Sequence, residues 1–395
     1  MRVWLSSAAM ALALTGCTAG YSGPVETAPV QADPVTFVTP PERDPSELQV
    51  LFWSDEQRSA RFRDMENWFE GHEVKGAVAP RELPAGSPLS PELAAEIRAV
   101  MDATGAAGVM VLKDGQKRHE AYGLGFGPEQ RWTSFSVAKS FTSTLLGAAI
   151  RDGFIGSLKD PVTQYIPELA GSAYEGVTVE QLATMTSGVA WNEDYTDPES
   201  DVAKMASFVL EYGEDAMVAQ MKDLPREAPP GEKFVYKTGE TNLIGLLVEN
   251  AIGLPLAAYA KDKIIDPAGF EGDLFWMSDA RGGSIGGCCL SIRLADYARM
   301  GQFALEGGAG VVPDGWFAEA GDSKVDFGDS GFGYGYQWWT YPGANYGAQG
   351  IFGQSITIIP EEGVVLAVVS NWPTATSSEG RAAWLGVTQK IATAE

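Results

Sequence analysis

The residues whose types and spacing best suit chemistry are Ser136 and Lys139. Apolar residues recur at helical spacing from 137 to 148 and Gly153 marks a stop, so the pair lies at the start of a helix. Side chains three residues apart share a helix face, which brings the hydroxyl and the amine within reach of each other. A lysine with a pKa lowered by burial can take the serine proton, and the helix N-terminus favours an oxyanion. The spacing predicts a serine nucleophile with a lysine base, although Ser-x-x-Lys alone also arises by chance on helix surfaces.

A second candidate lies about one hundred residues later, where Tyr236 precedes Lys237 and Thr238 and leads into an apolar helix over 243–252. Beside a lysine ammonium, a tyrosine could have a lowered pKa and relay protons. The alternative is a tyrosine that packs on its loop with a solvated hydroxyl. The residues alone leave both interpretations open.

The composition excludes several classes of protein. The chain has 395 residues, a net charge of −24 and two histidines, His72 and His119, so a multi-histidine metal site is impossible. We expect no metal and no cofactor. The acidic excess argues against a nucleic-acid partner, because phosphate binding needs concentrated positive charge. Hydrophobic residues at 45% and charged residues at 20% are typical of a packed globular protein, and the expected partner is a small-molecule substrate.

The first residues are similar to a bacterial lipoprotein signal peptide. Arg2 precedes an apolar run from 4 to 14, and the sequence Leu14-Thr-Gly-Cys17 resembles a lipobox. This predicts removal of residues 1–16, lipidation of Cys17 and attachment to the outer membrane on its periplasmic side. The alternative is a plain signal peptide with a chance cysteine. No later apolar stretch is long enough to span a bilayer, so this anchor is the only membrane contact expected.

The rest of the chain divides into a predicted tether over 17–45, rich in Pro and Thr, an aromatic N-terminal extension over 46–90, and one domain over 91–395. Ser90 and Pro91 are typical of a helix start. Strand patterns fall at 108–112, 116–122, 355–359 and 364–369, and a last helix over 377–393. We therefore expect an α/β (α+β) fold in which both chain ends build one antiparallel sheet, flanked by helices and interrupted by an inserted helical region. Cys288 and Cys289 are neighbours and are expected as free, buried thiols.

From about residue 80 to 390 the sequence resembles the serine β-lactamase-related hydrolases, a family of class C β-lactamases, D-alanyl-D-alanine peptidases, esterases and 6-aminohexanoate-dimer hydrolases. The resemblance is carried by the order of the Ser-x-x-Lys motif, segment 182–188, Tyr236-Lys-Thr238 and segment 282–287. Segment 191–200 is most similar to the 6-aminohexanoate-dimer hydrolases. The resemblance implies the β-lactamase/transpeptidase-like fold and acyl transfer from an amide or ester.

The resemblance also assigns roles to residues. It implies that Ser136 is acylated, that Lys139 is its base, and that Tyr236 passes the proton to the leaving group. It implies an oxyanion hole made by the backbone N–H groups of Ser136 and Ile351. The substrate-binding residues that it implies are Tyr195, Thr238, Gln349 and Gly350.

Two departures from the family pattern bear on the substrate. Thr238 stands where many β-lactamases have Asn, and Ala348-Gln349-Gly350 stands where the family has Lys-Thr-Gly or His-x-Gly. Without a cation in that motif, an ester or an uncharged amide is favoured, and the expected enzyme is similar to the 6-aminohexanoate-oligomer hydrolases and esterases. A β-lactamase or D-alanyl-D-alanine carboxypeptidase is the alternative enzyme, and a non-catalytic lipoprotein that binds envelope ligands is the alternative outside the enzymes.

Three other features have less reactive interpretations. Segment 282–286 matches Gly-x-Ser-x-Gly, but both histidines lie upstream of Ser284, so we interpret it as a tight glycine loop near the site. The aromatic residues of 332–339 predict either a packed edge strand or an aromatic wall of the substrate pocket. His119 is expected on a strand surface and His72 in solvent.

Overall fold

The computed structural model of the chain describes residues 35–205, 216–279 and 281–394, and the predicted signal peptide, Cys17 and residues 18–34 lie outside the described residues. The strands are β1 Thr36–Val38, β2 Gly71–Val74, β3 Ala106–Lys113, β4 Gln116–Tyr122, β5 Arg131–Thr133, β6 Leu274–Met277, β7 Leu290–Arg293, β8 Val325–Asp326, β9 Gly333–Tyr334, β10 Trp339–Tyr341, β11 Asn345–Gln349, β12 Ser355–Ile359 and β13 Val364–Ser370. The α-helices are α1 Asp55–Arg61, α2 Pro91–Thr104, α3 Ala138–Arg151, α4 Val179–Ala183, α5 Ala216–Asp223, α6 Thr238–Ile252, α7 Leu256–Ala260, α8 Asp266–Ala268, α9 Leu294–Leu305, α10 Trp316–Ala320 and α11 Ser378–Ala392.

The larger sheet joins the two ends of the chain, as the sequence predicts. Its order is β4-β3-β13-β12-β11-β10-β9-β8, and every neighbouring pair is antiparallel. The central strand β13 is buried on both faces, which explains its unbroken run of apolar residues. Helices α2 and α11 pack on one face of the sheet and α9 packs on the other. This arrangement confirms the predicted antiparallel sheet flanked by helices.

Local signals fix the ends of α2. The Ser90 hydroxyl accepts a hydrogen bond from the Leu93 N–H at 3.2 Å, and Pro91 occupies the first helical position. Gly105 ends the helix in the left-handed conformation, with φ of 65°. The predicted helix start is therefore confirmed.

The smaller sheet changes the interpretation of the N-terminal segments. Its order is β1-β2-β6-β7-β5, so residues expected in the flexible tether form β1, and the extension contributes β2. Phe62 and Met65 of the extension are fully buried in the core. The prediction of a flexible tether is thus wrong for residues 36–38, because backbone pairing with β2 holds them in the fold. The extension over 46–90 packs into the same core as the rest of the chain.

Both histidines lie on strands. His72 lies in β2 with 7% of its surface exposed and its ring 5.2 Å from that of Phe37, so the expectation of a solvated side chain is wrong. Pairing of β2 between β1 and β6 removes this side chain from water. His119 lies in β4 opposite Val111 and is partly buried, on the strand where it was expected.

Cys288 and Cys289 are joined in a disulfide, so the expectation of two free thiols is wrong. The pair directly follows the glycine loop, and Cys289 adopts a left-handed backbone with φ of 72°. This tight turn is where the two neighbouring side chains meet.

No single helix in the described ranges is long and apolar enough to cross a membrane. The pair formed by Thr238–Ile252 and Leu256–Ala268 passes that test jointly, by length and composition alone, with a bend of 77° between its halves.

Candidate active site

Ser136 sits on a turn that links the smaller sheet to α3. The strand β5 pairs with β7, and the Ser134 N–H donates to the Leu290 carbonyl at 2.7 Å, which anchors the turn. Phe135 adopts the left-handed region with φ of 43°, a strained conformation for a bulky residue. A single 3-10 turn, Phe135–Val137, then leads into α3. The predicted helix start and the position of the serine are confirmed.

Lys139, three residues after Ser136, is buried, with 1% of its surface exposed. Its amine donates hydrogen bonds to the Thr238 hydroxyl at 3.0 Å and to the Gly287 carbonyl at 2.7 Å. Burial lowers the pKa of Lys139 to about 7, although the Glu193 carboxylate opposes that shift. Much of the amine is therefore neutral near neutral pH, which is the state that a general base needs.

Tyr236 approaches the serine from the loop before α6. Tyr236 and Ser136 line the same cleft, and the ring centre of Tyr236 lies 5.3 Å from the amine of Lys139. Burial, and after it the Glu193 carboxylate, raises the pKa of Tyr236. The expectation of a lowered pKa is therefore wrong, because burial and a carboxylate both disfavour the phenolate. A hydroxyl that stays protonated can still pass a proton by accepting one and donating another.

Ser136 and Ile351 both line the cleft. Among the described residues neither N–H has an acceptor within the protein, whereas the neighbouring Gly350 N–H donates to the Gln354 carbonyl at 2.8 Å. Two free N–H groups beside a nucleophile are the donors that an oxyanion requires. Their placement supports the predicted oxyanion hole.

Glu193 lines the cleft but had no role predicted from the sequence. Its carboxylate accepts four hydrogen bonds: from the Thr238 N–H at 2.9 Å, the Tyr195 hydroxyl at 2.8 Å, the Thr238 hydroxyl and the Trp191 indole N–H. The only sequence signal was its position inside segment 191–200. Thr238 and Tyr195 are thereby brought into the site, as the resemblance implied, but both hydroxyls are held by Glu193.

The expected substrate-binding residues Gln349 and Gly350 also line the cleft. The Gln349 side-chain amide donates to the Tyr341 hydroxyl at 2.7 Å. The Gly350 carbonyl accepts from the guanidinium of Arg381 at 2.7 Å.

Arg381 is the second residue that the sequence did not single out. It comes from α11 and lies over the ring of Trp372, 4.7 Å from the ring centre. Burial lowers the pKa of Arg381 to about 10, which keeps the guanidinium charged at neutral pH. The cleft thus contains a cation from the last helix, although the third motif has none.

The glycine loop over 282–287 forms the floor beneath Lys139. The Thr142 hydroxyl donates to the Gly286 carbonyl at 2.7 Å. A Cβ at Gly287 would lie 2.8 Å from both the Asn242 side-chain oxygen and the Thr238 carbonyl, so only glycine fits. Ser284 is buried and accepts from the Ala257 N–H at 3.1 Å. The interpretation of this segment as a tight glycine loop is confirmed.

The aromatic segment 332–339 forms both a packed strand and a wall of the pocket, the two alternatives predicted for it. Trp339 lies in the cleft and stacks on Tyr236, with ring centres 5.5 Å apart and an interplanar angle of 23°. Its neighbour Trp338 is fully buried in the core. Successive side chains of an extended chain point to opposite faces, so one segment supplies both a wall of the pocket and a packed strand.

The cleft holds about 820 Å³ of space, counting its open mouth. Its lining combines the predicted site residues with the start of α11: Ser136, Glu193, Tyr195, Tyr236, Trp339, Gln349, Gly350, Ile351, Thr376, Ser377, Ser378 and Arg381.

Comparison with known proteins places this chain in a family. Residues 93–281 match the Beta-lactamase family. The chain is 31% identical over 283 residues to the 6-aminohexanoate-dimer hydrolase of Paenarthrobacter ureafaciens, an alignment that covers 67% of this chain and 72% of the relative.

Solved structures agree on the fold. A Bacillus anthracis protein assigned as a 6-aminohexanoate-dimer hydrolase superposes with a TM-score of 0.77 at 20% identity, over 90% of this chain and 98% of that one. EstCE1, a hydrolase with promiscuous acyltransferase activity, gives a TM-score of 0.63 at 15% identity, over 76% of this chain and 98% of that one. The shared β-lactamase/transpeptidase-like fold, together with the sequence identity to the Paenarthrobacter enzyme, shows that the chain belongs to the β-lactamase family of serine hydrolases.

Proposed function

We propose that the protein hydrolyses a linear amide or ester through an acyl-enzyme on Ser136, with a substrate similar to a 6-aminohexanoate oligomer. The observation that carries this proposal is the convergence of Ser136, Lys139 and Tyr236 beside two free backbone N–H groups.

The chemistry follows from these positions. Neutral Lys139 accepts the Ser136 proton as the serine oxygen attacks the substrate carbonyl. The N–H groups of Ser136 and Ile351 donate to the oxyanion that develops. Tyr236 donates its proton to the leaving amine or alkoxide and recovers one from Lys139. Water then attacks the acyl-enzyme, gives its proton to the same groups and releases the acid and free Ser136.

The cleft supports a substrate that carries a carboxylate. Arg381 is a charged donor on its wall, and Ser377 begins α11 at the same place, so the positive end of that helix also borders the cleft. A 6-aminohexanoate oligomer ends in a carboxylate and joins its units through linear amides. The name of the Paenarthrobacter relative is consistent with this class of substrate.

The guanidinium of Arg381 also favours a second candidate function. β-Lactams and D-alanyl peptides also carry a carboxylate near the scissile amide, so Arg381 weakens the argument against a β-lactamase or peptidase that was drawn from the third motif. The two candidates differ in the acyl donor, which is a linear amide in one and a strained ring or a D-amino acid in the other.

Three acyl donors test the proposal: a p-nitrophenyl ester, the linear 6-aminohexanoate dimer and a cyclic β-lactam. The wild-type chain beginning after Cys17 should turn over the ester and the dimer, and Ser136→Ala should lose about 10⁴-fold or more. Intact mass after a fluorophosphonate should show one adduct, absent from the variant. Absence of any adduct on the wild type would favour a non-catalytic binding protein, and turnover of the β-lactam alone would favour the second candidate.

A further inference from the structure

We propose that Glu193 fixes the direction of the hydrogen bonds made by Lys139, and so aims the lone pair of the lysine at Ser136. Glu193 is a positioning residue, because it acts through Thr238 rather than on the reacting atoms. The inference rests on the proposed function, in which Lys139 is the base.

The two oxygens of the Glu193 carboxylate face different kinds of donor. Oε2 receives the Trp191 indole N–H and the Thr238 backbone N–H, groups that can only donate. Oε1 faces the hydroxyls of Tyr195 and Thr238. A carboxylate only accepts, so both hydroxyls must donate their protons to Oε1.

This arrangement leaves Thr238 no proton for the lysine. Its single hydroxyl proton points to Glu193, so toward Lys139 it can only accept, at 3.0 Å. The Gly287 carbonyl, 2.7 Å from the same amine, also only accepts. A neutral amine has two N–H groups and one lone pair, and these two acceptors use both N–H groups. The lone pair is left for the proton of Ser136.

The isosteric change Glu193→Gln would reverse this direction. The donor-only groups on Trp191 and Thr238 hold the amide oxygen at the Oε2 position. The amide NH₂ then occupies the Oε1 position and donates to the Thr238 hydroxyl. That hydroxyl becomes free to donate to Lys139, which would occupy the lone pair that the reaction needs.

The same change alters the charge around Lys139. Glu193 is the carboxylate that acts on the amine, the ring of Tyr236 covers another side, and Arg381 reaches Tyr236 from α11. Because a carboxylate favours the ammonium, its removal lowers the pKa of Lys139 further. Loss of Glu193 should therefore reduce the rate through the reversed hydrogen bond and shift the pH dependence of the rate through the lost charge.

The experiment measures acylation of Ser136 by a p-nitrophenyl ester between pH 5 and pH 9. In the wild type the rate should rise with pH and reach a plateau. We expect E193Q to lower the plateau rate by about 10- to 100-fold and to move the rising part of the pH–rate profile to lower pH. Asp194→Asn is the matched control: it removes one charge from the neighbouring residue, which is exposed and bonds to Thr196, and should leave both features unchanged. A wild-type plateau in E193Q, or a lower plateau with an unmoved rising part, would overturn the proposal.

A second pair of variants tests the hydrogen bond between the Thr238 hydroxyl and Lys139, and this test does not depend on the folding of E193Q. Thr238→Ser keeps the hydroxyl, whereas Thr238→Val removes it at nearly the same volume, so the valine variant should be slower than the serine variant by about tenfold or more. Equal rates in the two would also overturn the proposal. Fluorophosphonate labelling of the wild type separates this result from failure of the proposed function, because a labelled Ser136 upholds the acyl-enzyme whatever the variants show.

Discussion

The rings of Phe135 and Phe352 lie 5.4 Å apart, and each of these residues adopts a left-handed backbone directly beside a proposed oxyanion donor. Phe135 precedes Ser136 with φ of 43°, and Phe352 follows Ile351 with φ of 57°. Both rings also contact Phe62 of the N-terminal extension, at 5.0 Å and 5.5 Å between centres. The extension thus supports two strained turns that present the N–H groups.

A cavity at Phe62 should lower the rate of catalysis more than a cavity elsewhere in the core that lowers stability by a similar amount. Phe62→Ala should lower kcat by about 10-fold or more, because the two N–H groups lose their fixed separation. Ile97→Ala, a cavity in the separate cluster under α2, is the control and should lower thermal stability with little change in kcat. Equal kcat in the two variants, measured at a temperature where both are folded, would contradict the support role.

The pH dependence of kcat/KM should follow Lys139. The amine must be neutral to accept the serine proton, so the rate should rise with pH through about 7 and then level off. Since the pKa of Tyr236 is raised, deprotonation of its hydroxyl should not reduce the rate below about pH 9. Stopped-flow measurements with a neutral ester at a series of pH values would show both the rise and the plateau. A rate that falls between pH 6 and pH 8 would exclude a lysine base.

Histidine should not be needed for turnover. The double variant His72→Gln and His119→Gln removes both imidazoles of the chain. We expect kcat within about threefold of the wild type, because proton transfer is assigned to Lys139 and Tyr236. His72 is buried, so the melting temperature is measured alongside. A folded double variant without activity would refute the assignment.

Arg381 should discriminate between substrates by charge. Arg381→Met should raise KM for the 6-aminohexanoate dimer by about 10-fold or more, because a buried guanidinium–carboxylate contact is lost. A neutral p-nitrophenyl ester shares the cleft but lacks the carboxylate, and its KM reports any damage caused by the lost contact to Gly350. An equal increase in KM for both substrates would show that Arg381 only stabilises the loop that contains Gly350.

The sequence by itself determined the local features of this protein. Ser-x-x-Lys before an apolar helical repeat placed Ser136 and Lys139 at a helix start, and Ser90-Pro91 located another, because such signals depend only on residues within a few positions of one another. Short apolar runs and turn residues likewise predicted the two terminal hairpins, which pair with each other through β3 and β13.

Only the tertiary structure decided which distant residues complete the site. Glu193, Arg381 and Phe62 come from a loop, the last helix and the N-terminal extension, and no local pattern marks their side chains as neighbours of Ser136. The pKa values of Lys139 and Tyr236 also depend on burial and on the Glu193 carboxylate, which a linear sequence does not display. Periodicity and capping are properties of neighbouring residues, whereas desolvation and convergent contacts arise only when separate elements pack together.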